Sequence, residues 1–350
     1  MIPFCSKPLG HVTLKVGVFY SCHLLLSLWL SGCNAPQNTT QQSFYVFGTE
    51  VQVLIVGADT QRAQQAIQAI EQRFQAFHHE WHAWEKGGIV SKINQAIANN
   101  QAIDVPDSVK TFIQTTQKLS AQTDYLFDPA IGQLINMWGF HSEEWHGPPP
   151  SDTKRQAWLS SRPSIKDIYF KHNQLFSHNP NVQLDFGGNA KGLALDIAAK
   201  TLTDAGIQNA LINIGGDIKA LGFKNHQAWS IGIQNPNNPK QAIAKLQAQA
   251  SDSIFTSGTY QRFFDWQGQR FSHIINPNTA WPADSFASVT VIHDDAITAD
   301  TAATALLVAG EQDWRRIANQ LGVEAVFIIH RDGRIELTQA MQSRLIDLKN

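Results

Sequence analysis

The chain has 350 residues, 43% of them hydrophobic and 10% aromatic, with 10 Trp and 19 Phe. That length implies one large unit or two intimate ones, with a core burying roughly three-quarters of the unfolded surface. Charged residues make up 16% and the net charge is −2, which excludes a disordered chain and a nucleic-acid-binding footprint.

Lys7, His11 and Lys15 precede an apolar run from Val16 to Leu30, which meets Ser31-Gly32-Cys33. A basic region, a short apolar run and small residues describe a secretory signal, whereas a spanning helix would want about 20 apolar residues. The small-small-Cys ending resembles the bacterial lipobox, in which the Cys becomes an acylated N-terminus. The expected organisation is a signal over 1–32, a lipidated Cys33 with a polar tether over 33–43, and one domain over 44–350. An uncleaved N-terminal anchor is the alternative. Such a protein is anchored to a membrane without spanning it. Its expected location is the bacterial cell envelope, facing the periplasm from either membrane. Cys5 and Cys22 fall within the signal, so beyond Cys33 no thiol remains for a disulfide or a Cys metal site.

Residues 43–56 alternate and are rich in Val, Phe and Tyr, predicting a strand pair about Gly48-Thr49. Ala63, Ala66, Ile67, Ile70, Phe74 and Phe77 recur at a helical period over 60–77. A second helix is expected over 109–122, after Pro106. A loop-rich stretch follows and ends in Pro148-Pro149-Pro150, which no regular element can cross. Residues 167–184 read as a hairpin turning at His172-Asn173, and 189–205 as an Ala- and Leu-rich helix. Strands are expected at 210–214, 229–234, 242–249, 254–257 and 288–293, then a helix over 298–308 and a hairpin over 325–337. Strands outnumber helices without alternating strictly with them, so the expected fold class is α+β.

Five segments can carry chemistry. Asp185-Phe186-Gly187-Gly188-Asn189-Ala190-Lys191-Gly192 opens a helix, where free N–H groups, close backbone approach and Lys191 suit a phosphate. It is neither a Walker A nor a dinucleotide fingerprint, and a Gly-rich turn can equally be plain structure. Asp300 and Thr304 project from one helix face, and their hard oxygens suit Mg²⁺, although Asp300 can equally decorate a first turn. Phe255-Thr256-Ser257-Gly258-Thr259-Tyr260 and Ser272-His273 offer hydroxyls and a neutral-pH proton carrier, without the order of a hydrolase triad. Asp128-Pro129 to Trp138-Gly139-Phe140 is an aromatic loop that suits a flat ring or simple packing. His78 and His82 stand four apart with no third ligand seen close in sequence, which favours a solvated helix end over a metal site.

In order, Phe47-Gly48-Thr49, Ser91-x-x-Asn94, the Asp128 to Phe140 loop, Leu184-Asp185-x-Gly187-Gly188-x-Ala190-Lys191-Gly192 and Asn213-x-Gly215-Gly216-Asp217 are followed by Thr256-Ser257-Gly258, Ser272-His273-x-Ile275-x-Pro277 and Thr298-Ala299-Asp300…Ala303-Thr304. Together they resemble the ApbE family. The resemblance implies a single α+β unit of mixed and antiparallel sheets with packed helices. It also implies an FAD:protein FMN transferase, in which Mg²⁺ assists cleavage of FAD at its pyrophosphate. FMN then joins a Thr of a partner flavoprotein through a phosphoester and AMP leaves. Implied acceptors are flavin-carrying subunits of the sodium-pumping NADH:quinone reductase or Rnf-type complexes.

Residue by residue, the resemblance places Phe47 and Trp84 near the flavin or adenine and Leu126, Phe127 and Asp128 against FAD. Asp185 and Lys191 would hold its polar part, and Ile275 would line the site. The Gly188 carbonyl, Asp300 and Thr304 would bind Mg²⁺, with Lys191 and His273 catalytic. Phe47 stands at a usual Met, Ala303 where some members carry Asp, and Asn276 at a usual Asp. Two other readings stay open at this point: an Mg²⁺-dependent FAD pyrophosphatase, and a flavin-binding lipoprotein without activity.

Overall fold

The computed structural model describes residues 38–142 and 144–349. The expected signal and Cys33 lie outside them. Strands β1 (Thr39–Val46) and β2 (Thr49–Val56) form a hairpin whose loop, Phe47-Gly48, has φ of 60° and 69°. Two positive φ values make the type I′ turn, whose twist matches that of the strands. Residues 39–43, expected as tether, belong to β1 and are mostly exposed. Polarity alone does not separate an exposed edge strand from a free segment.

Helix α1 (Thr60–Trp81) buries the expected stripe, and its first N–H groups donate to the Asp59 carboxylate. Then come α2 (Ile89–Ala98), β3 (Ile103–Asp104), α3 (Asp107–Gln122), α4 (Gly132–Met137), α5 (Asp152–Ser160), β4 (Ile168–Lys171) and β5 (Gln174–Ser177). The β4–β5 hairpin turns at His172-Asn173 as expected but stops at Ser177, short of Leu184. Instead, residues 183–185 run beside the loop after Phe127. Gly132 N–H donates to Gln183 O at 2.8 Å and Asp185 N–H to Pro129 O at 2.8 Å. This strap ties the aromatic loop to the Gly-rich turn.

The remaining elements are α6 (Ala190–Asp204), β6 (Ala210–Ile214), β7 (Asp217–Leu221), β8 (Trp229–Asn235), β9 (Asn238–Ala248), β10 (Ser253–Gly258), β11 (Phe263–Trp266) and β12 (Gln269–Ser272). After them lie β13 (Ile275–Asn276), β14 (Trp281–Pro282), β15 (Phe286–His293), α7 (Ala296–Leu321), β16 (Ala325–His330), β17 (Ile335–Leu337), α8 (Gln339–Gln342) and β18 (Leu345–Leu348). An eight-stranded sheet runs β1-β2-β6-β7-β10-β15-β16-β17, antiparallel at every pairing. Helices α1, α6 and α7 cover one face, and the three-stranded sheet β18-β9-β8 covers the other. In β15 and β16, Val289, Val291, Val326 and Ile328 face the helices, while Ile292, Phe327 and Ile329 face the small sheet. Burial on both faces is why β16 reads as an unbroken apolar run. The α+β expectation holds.

Helix α7 runs to Leu321, well past the expected end at Val308, with a break at Gly310 (φ 69°, ψ −171°). A Cβ there would lie 2.9 Å from Ser285 Oγ, and the apolar stripe resumes at Trp314, Ile317 and Leu321. Glycine interrupts the helix without ending the face that it buries.

The crossing of α6 over α7 depends on Gly192, where an added Cβ would lie 2.6 Å from Ala296 O and 2.8 Å from Ile297 Cα. Backbone cannot step aside as a side-chain tip can. Gly192→Ala is expected to cost about 1–3 kcal/mol in urea unfolding with an unchanged slope. Wild-type stability in this variant would show that the two helices are free to separate.

Candidate active site

The Gly-rich turn enters α6 with its side chains already engaged. Asp185 Oδ1 accepts Gly187 N–H at 2.8 Å, and Asp185 Oδ2 accepts the Trp84 indole N–H at 2.9 Å. Asn189 is buried and donates to Thr116 Oγ1 at 3.0 Å. Gly188 is pressed between Phe127 and Thr304: a Cβ on it would meet the Phe127 ring at 2.9 Å and Thr304 Oγ1 at 3.7 Å. Gly192 N–H, in the first turn of α6, donates to Asp300 Oδ2 at 2.8 Å. Residues 188, 300 and 304, expected to act together, are therefore brought together.

Asp300 is 5% exposed. Burial pushes its carboxyl well above the ordinary carboxylate range against the pull of Lys191, and Asp217 adds to the rise. Thr304 Oγ1 shares a 2.9 Å hydrogen bond with Ser257 Oγ, which joins α7 to β10. A buried carboxylate, a hydroxyl and the neighbouring Gly188 carbonyl are hard oxygen donors of the kind that Mg²⁺ takes. Ala303 is 1% exposed and packed in the core, so it leaves no polar group in that direction.

Lys191 is not the free cation that the sequence suggests. It forms an ion pair with Asp217, at the start of β7, whose other oxygen accepts Thr256 N–H at 3.0 Å. Burial opposes the ammonium charge, but Asp217 and Asp300 outweigh it and hold Lys191 above the usual lysine range. Asp217 was visible only as the last residue of a Gly-Gly-Asp segment. Its pairing spans 26 positions, which no local spacing reveals.

His273 follows β12, and Arg262 precedes β11, so the two face each other at the base of that hairpin. Arg262 O accepts both His273 N–H at 3.0 Å and the ring Nδ1–H at 3.1 Å. An acceptor at Nδ1 fixes the neutral tautomer and leaves the lone pair on Nε2, the form a general base needs. Burial and the Arg262 guanidinium push the imidazole down to about 4. The hairpin is braced by Trp138, Phe140, Phe264 and Phe271, with Phe271 and Trp138 rings 5.5 Å apart. Nearby, burial and Asp217 raise the Tyr260 phenol to about 12, and its OH donates to Gln234 at 3.2 Å. Arg262 escaped the sequence reading, because it stands between two quoted segments, and Tyr260 closed the first of them without an assigned role.

The expected ring-binding residues divide into two groups. Phe47 holds a left-handed backbone and packs on α1, with Phe74 at 5.2 Å and His78 at 5.7 Å. Trp84 lies 5.4 Å from His141 and is half-buried. Leu126 is half-buried, whereas Phe127 and Ile275 are buried. Asp128 is 3% exposed and its Oδ1 accepts Ala130 N–H at 3.0 Å and Ile165 N–H at 2.9 Å. Burial raises its carboxyl against these hydrogen bonds, so Asp128 shapes the loop from within. Asn276 Oδ1 accepts Asn278 N–H at 2.8 Å, a turn that an Asp would make equally.

His78 and His82 do gain a third neighbour, Glu85, whose ligand atom lies with theirs within 4.8 Å. Yet His82 Nδ1 accepts Trp84 N–H at 3.2 Å and Glu85 N–H at 3.0 Å. That puts the neutral ring's proton on Nε2, the atom facing Glu85, where a metal would need a lone pair. The trio caps the loop that presents Trp84.

The ApbE family model matches residues 47–327, as the ordered motifs imply. The FAD:protein FMN transferase of Rhodobacter capsulatus is 38% identical over 331 residues, covering 95% of this chain and 63% of that protein. This chain thus spans less than two-thirds of that relative's length. The Vibrio cholerae FAD:protein FMN transferase is 27% identical over 311 residues, covering 87% of this chain and 92% of its own. Among solved structures, the ApbE protein of Thermotoga maritima superposes with a TM-score of 0.81 at 27% identity, covering 89% of this chain and 100% of that one. The flavin transferase ApbE from Vibrio cholerae gives 0.77 at 25% identity over 89% of this chain and 100% of its own.

The low basicity of His273 has a measurable sign. In an NMR titration its ring is expected to stay neutral from pH 7 downwards and to protonate near pH 4. An unfolded imidazole protonates near 6.5, so in that window the unfolded chain binds the extra proton. This residue therefore lowers stability as pH falls from about 6.5 to about 4, and His273→Gln should flatten that slope. Protonation near 6.5 in the folded protein would mean that neither burial nor Arg262 acts on the ring.

Proposed function

This chain belongs to the ApbE family, and from that premise we propose that it moves FMN from FAD onto a threonine side chain of a partner flavoprotein, releasing AMP. The relatives' shared activity supports the reading. The observation that carries it is the meeting of Gly188, Asp300, Thr304 and the Lys191–Asp217 pair at the start of α6, together with a histidine whose Nε2 has no hydrogen-bond partner among the described residues. Flavin or adenine would lie against Phe47 and Trp84, with the pyrophosphate toward the α6 N-terminus, where backbone N–H groups favour anions.

Mg²⁺ fits the residues present. The Asp300 carboxyl is buried, forced toward its protonated form and served by a backbone N–H at one oxygen. A divalent cation held by Asp300, Thr304 and the Gly188 carbonyl would neutralise phosphate charge there. The chain's own groups supply the rest. His273 Nε2 takes the proton of the acceptor hydroxyl as its oxygen attacks the FMN phosphorus. The bond from that phosphorus to the bridging oxygen breaks, and AMP leaves with the oxygen. Asp217 fixes the direction of the Lys191 ammonium, which stabilises the charge on the departing phosphate. A protein hydroxyl prevails over water only where the docked segment excludes solvent.

The acceptor proposed is a flavin-carrying subunit of the sodium-pumping NADH:quinone reductase or Rnf type, presenting a threonine. Wild-type protein with FAD and Mg²⁺ is expected to add the mass of one FMN to such an acceptor and none to its Thr→Val variant. In the same assay Asp300→Ala should lower turnover by more than a hundredfold while weakening FAD binding far less, because ring contacts survive. Equal AMP release with and without acceptor, and no adduct, would make the protein an FAD pyrophosphatase.

We also propose that Cys33 carries lipid and holds the domain at the periplasmic face of the cell envelope. Among the described residues no helix is long and apolar enough to cross a membrane. Cys33→Ser should leave the transfer activity intact and move the protein out of the lipid-labelled membrane fraction. Wild type that takes up no labelled lipid would remove the anchor.

A further inference from the structure

We propose that Arg262 is a further substrate-contacting residue, whose guanidinium binds a phosphate oxygen of the FAD pyrophosphate on the His273 side of the site. The identity of the anion rests on the flavin-transferase reading. The place of the cation does not.

Arg262 sits at the base of the β11–β12 hairpin, with its carbonyl committed to His273 and its side chain exposed. The guanidinium reaches back toward the β1–β2 turn. Its Nη2 lies 3.8 Å from the point where a Cβ on Gly48 would stand, and its Cζ lies 5.9 Å from the Trp145 ring. It therefore spans from the proposed base to the turn that carries Phe47. Its charge is felt on both sides, at Lys191 and at His273.

Several other arginines are spent, and Arg73, unpaired among the described residues, stands on the exposed side of α1. Arg155 pairs with Asp152, Arg270 with Asp265, Arg316 with Asp124 and Arg344 with Asp252. Arg262 has no carboxylate among the described residues within ion-pair distance, and its guanidinium makes no hydrogen bond to any of them. Meanwhile the inner cluster combines one ammonium with two carboxylates, Lys191 with Asp217 and Asp300. Even with a divalent cation at Asp300 the cluster carries only about one net positive charge, which leaves about one of the two negative charges of a pyrophosphate unmatched. A free guanidinium at its edge supplies the missing positive charge, and its planar fork matches phosphate oxygens two at a time. Neutralising it on binding would also lift its pressure on His273, so the base strengthens when substrate is present.

The test compares FAD with riboflavin, which has the same ring and no phosphate, as ligands of the full protein in Mg²⁺. Arg262→Ala is expected to weaken FAD binding about 10- to 100-fold, as loss of a charge-assisted hydrogen bond does. Riboflavin binding should stay within about twofold, which also shows the variant is folded. Added guanidinium should restore part of the FAD affinity, and Arg262→Lys should fall between. Equal losses for both ligands, or unchanged FAD affinity, overturn the assignment. The two readings separate cleanly in the transfer assay. A wild type that transfers FMN but binds FAD independently of Arg262 refutes only this inference. A wild type whose FAD affinity needs Arg262 yet never transfers refutes only the transferase reading.

Discussion

The site depends on one buried contact, the hydrogen bond from Gly192 N–H to Asp300 Oδ2 between the first turn of α6 and the second turn of α7. A carboxylate taken out of water costs several kcal/mol unless it is compensated. Here the backbone N–H groups at the start of α6 and the Lys191 ammonium offset part of that cost. The absence of a side chain at Gly192 sets how close α6 and α7 come. That distance in turn places Gly188 beside Thr304.

Around this contact the protein builds an imbalance. Two largely buried carboxylates and one ammonium favour a cation, and a cation there favours a phosphate. Backbone N–H groups of the Gly-rich turn and the strap from Pro129 to Asp185 hold the turn in shape. The side chains are thus locked by partners that would remain in place when substrate arrives. Such preorganisation is what electrostatic stabilisation of a charged transition state requires.

The opposite wall is organised by packing. Rings from the Trp138–Phe140 loop and from β11 and β12 brace the hairpin that carries His273. A backbone carbonyl, which cannot titrate, fixes the tautomer. The aromatic loop reads ambiguously in sequence as ring binder or core. In the structure Trp138 and Phe140 are core, and the loop acts through what it supports.

Sequence alone determined the apolar stripes of α1 and α6, the strand pairs, the α+β class and the order of the motifs that mark the family. These are local properties, because burial at a fixed period is written into neighbouring residues. It also put Gly188, Asp300 and Thr304 in one group, through the resemblance. What it did not determine were the pairings of polar groups. Lys191 with Asp217, Trp84 with Asp185 and His273 with the Arg262 carbonyl join segments that are distant in the chain or meet only across a hairpin. Likewise, nothing in the sequence shows that the Asp128 carboxylate is buried and holds Ala130 and Ile165. Whether a polar side chain is free or engaged depends on which segments approach it in three dimensions. Only the tertiary structure decides that, since a carboxylate or cation presents the same letter in either state.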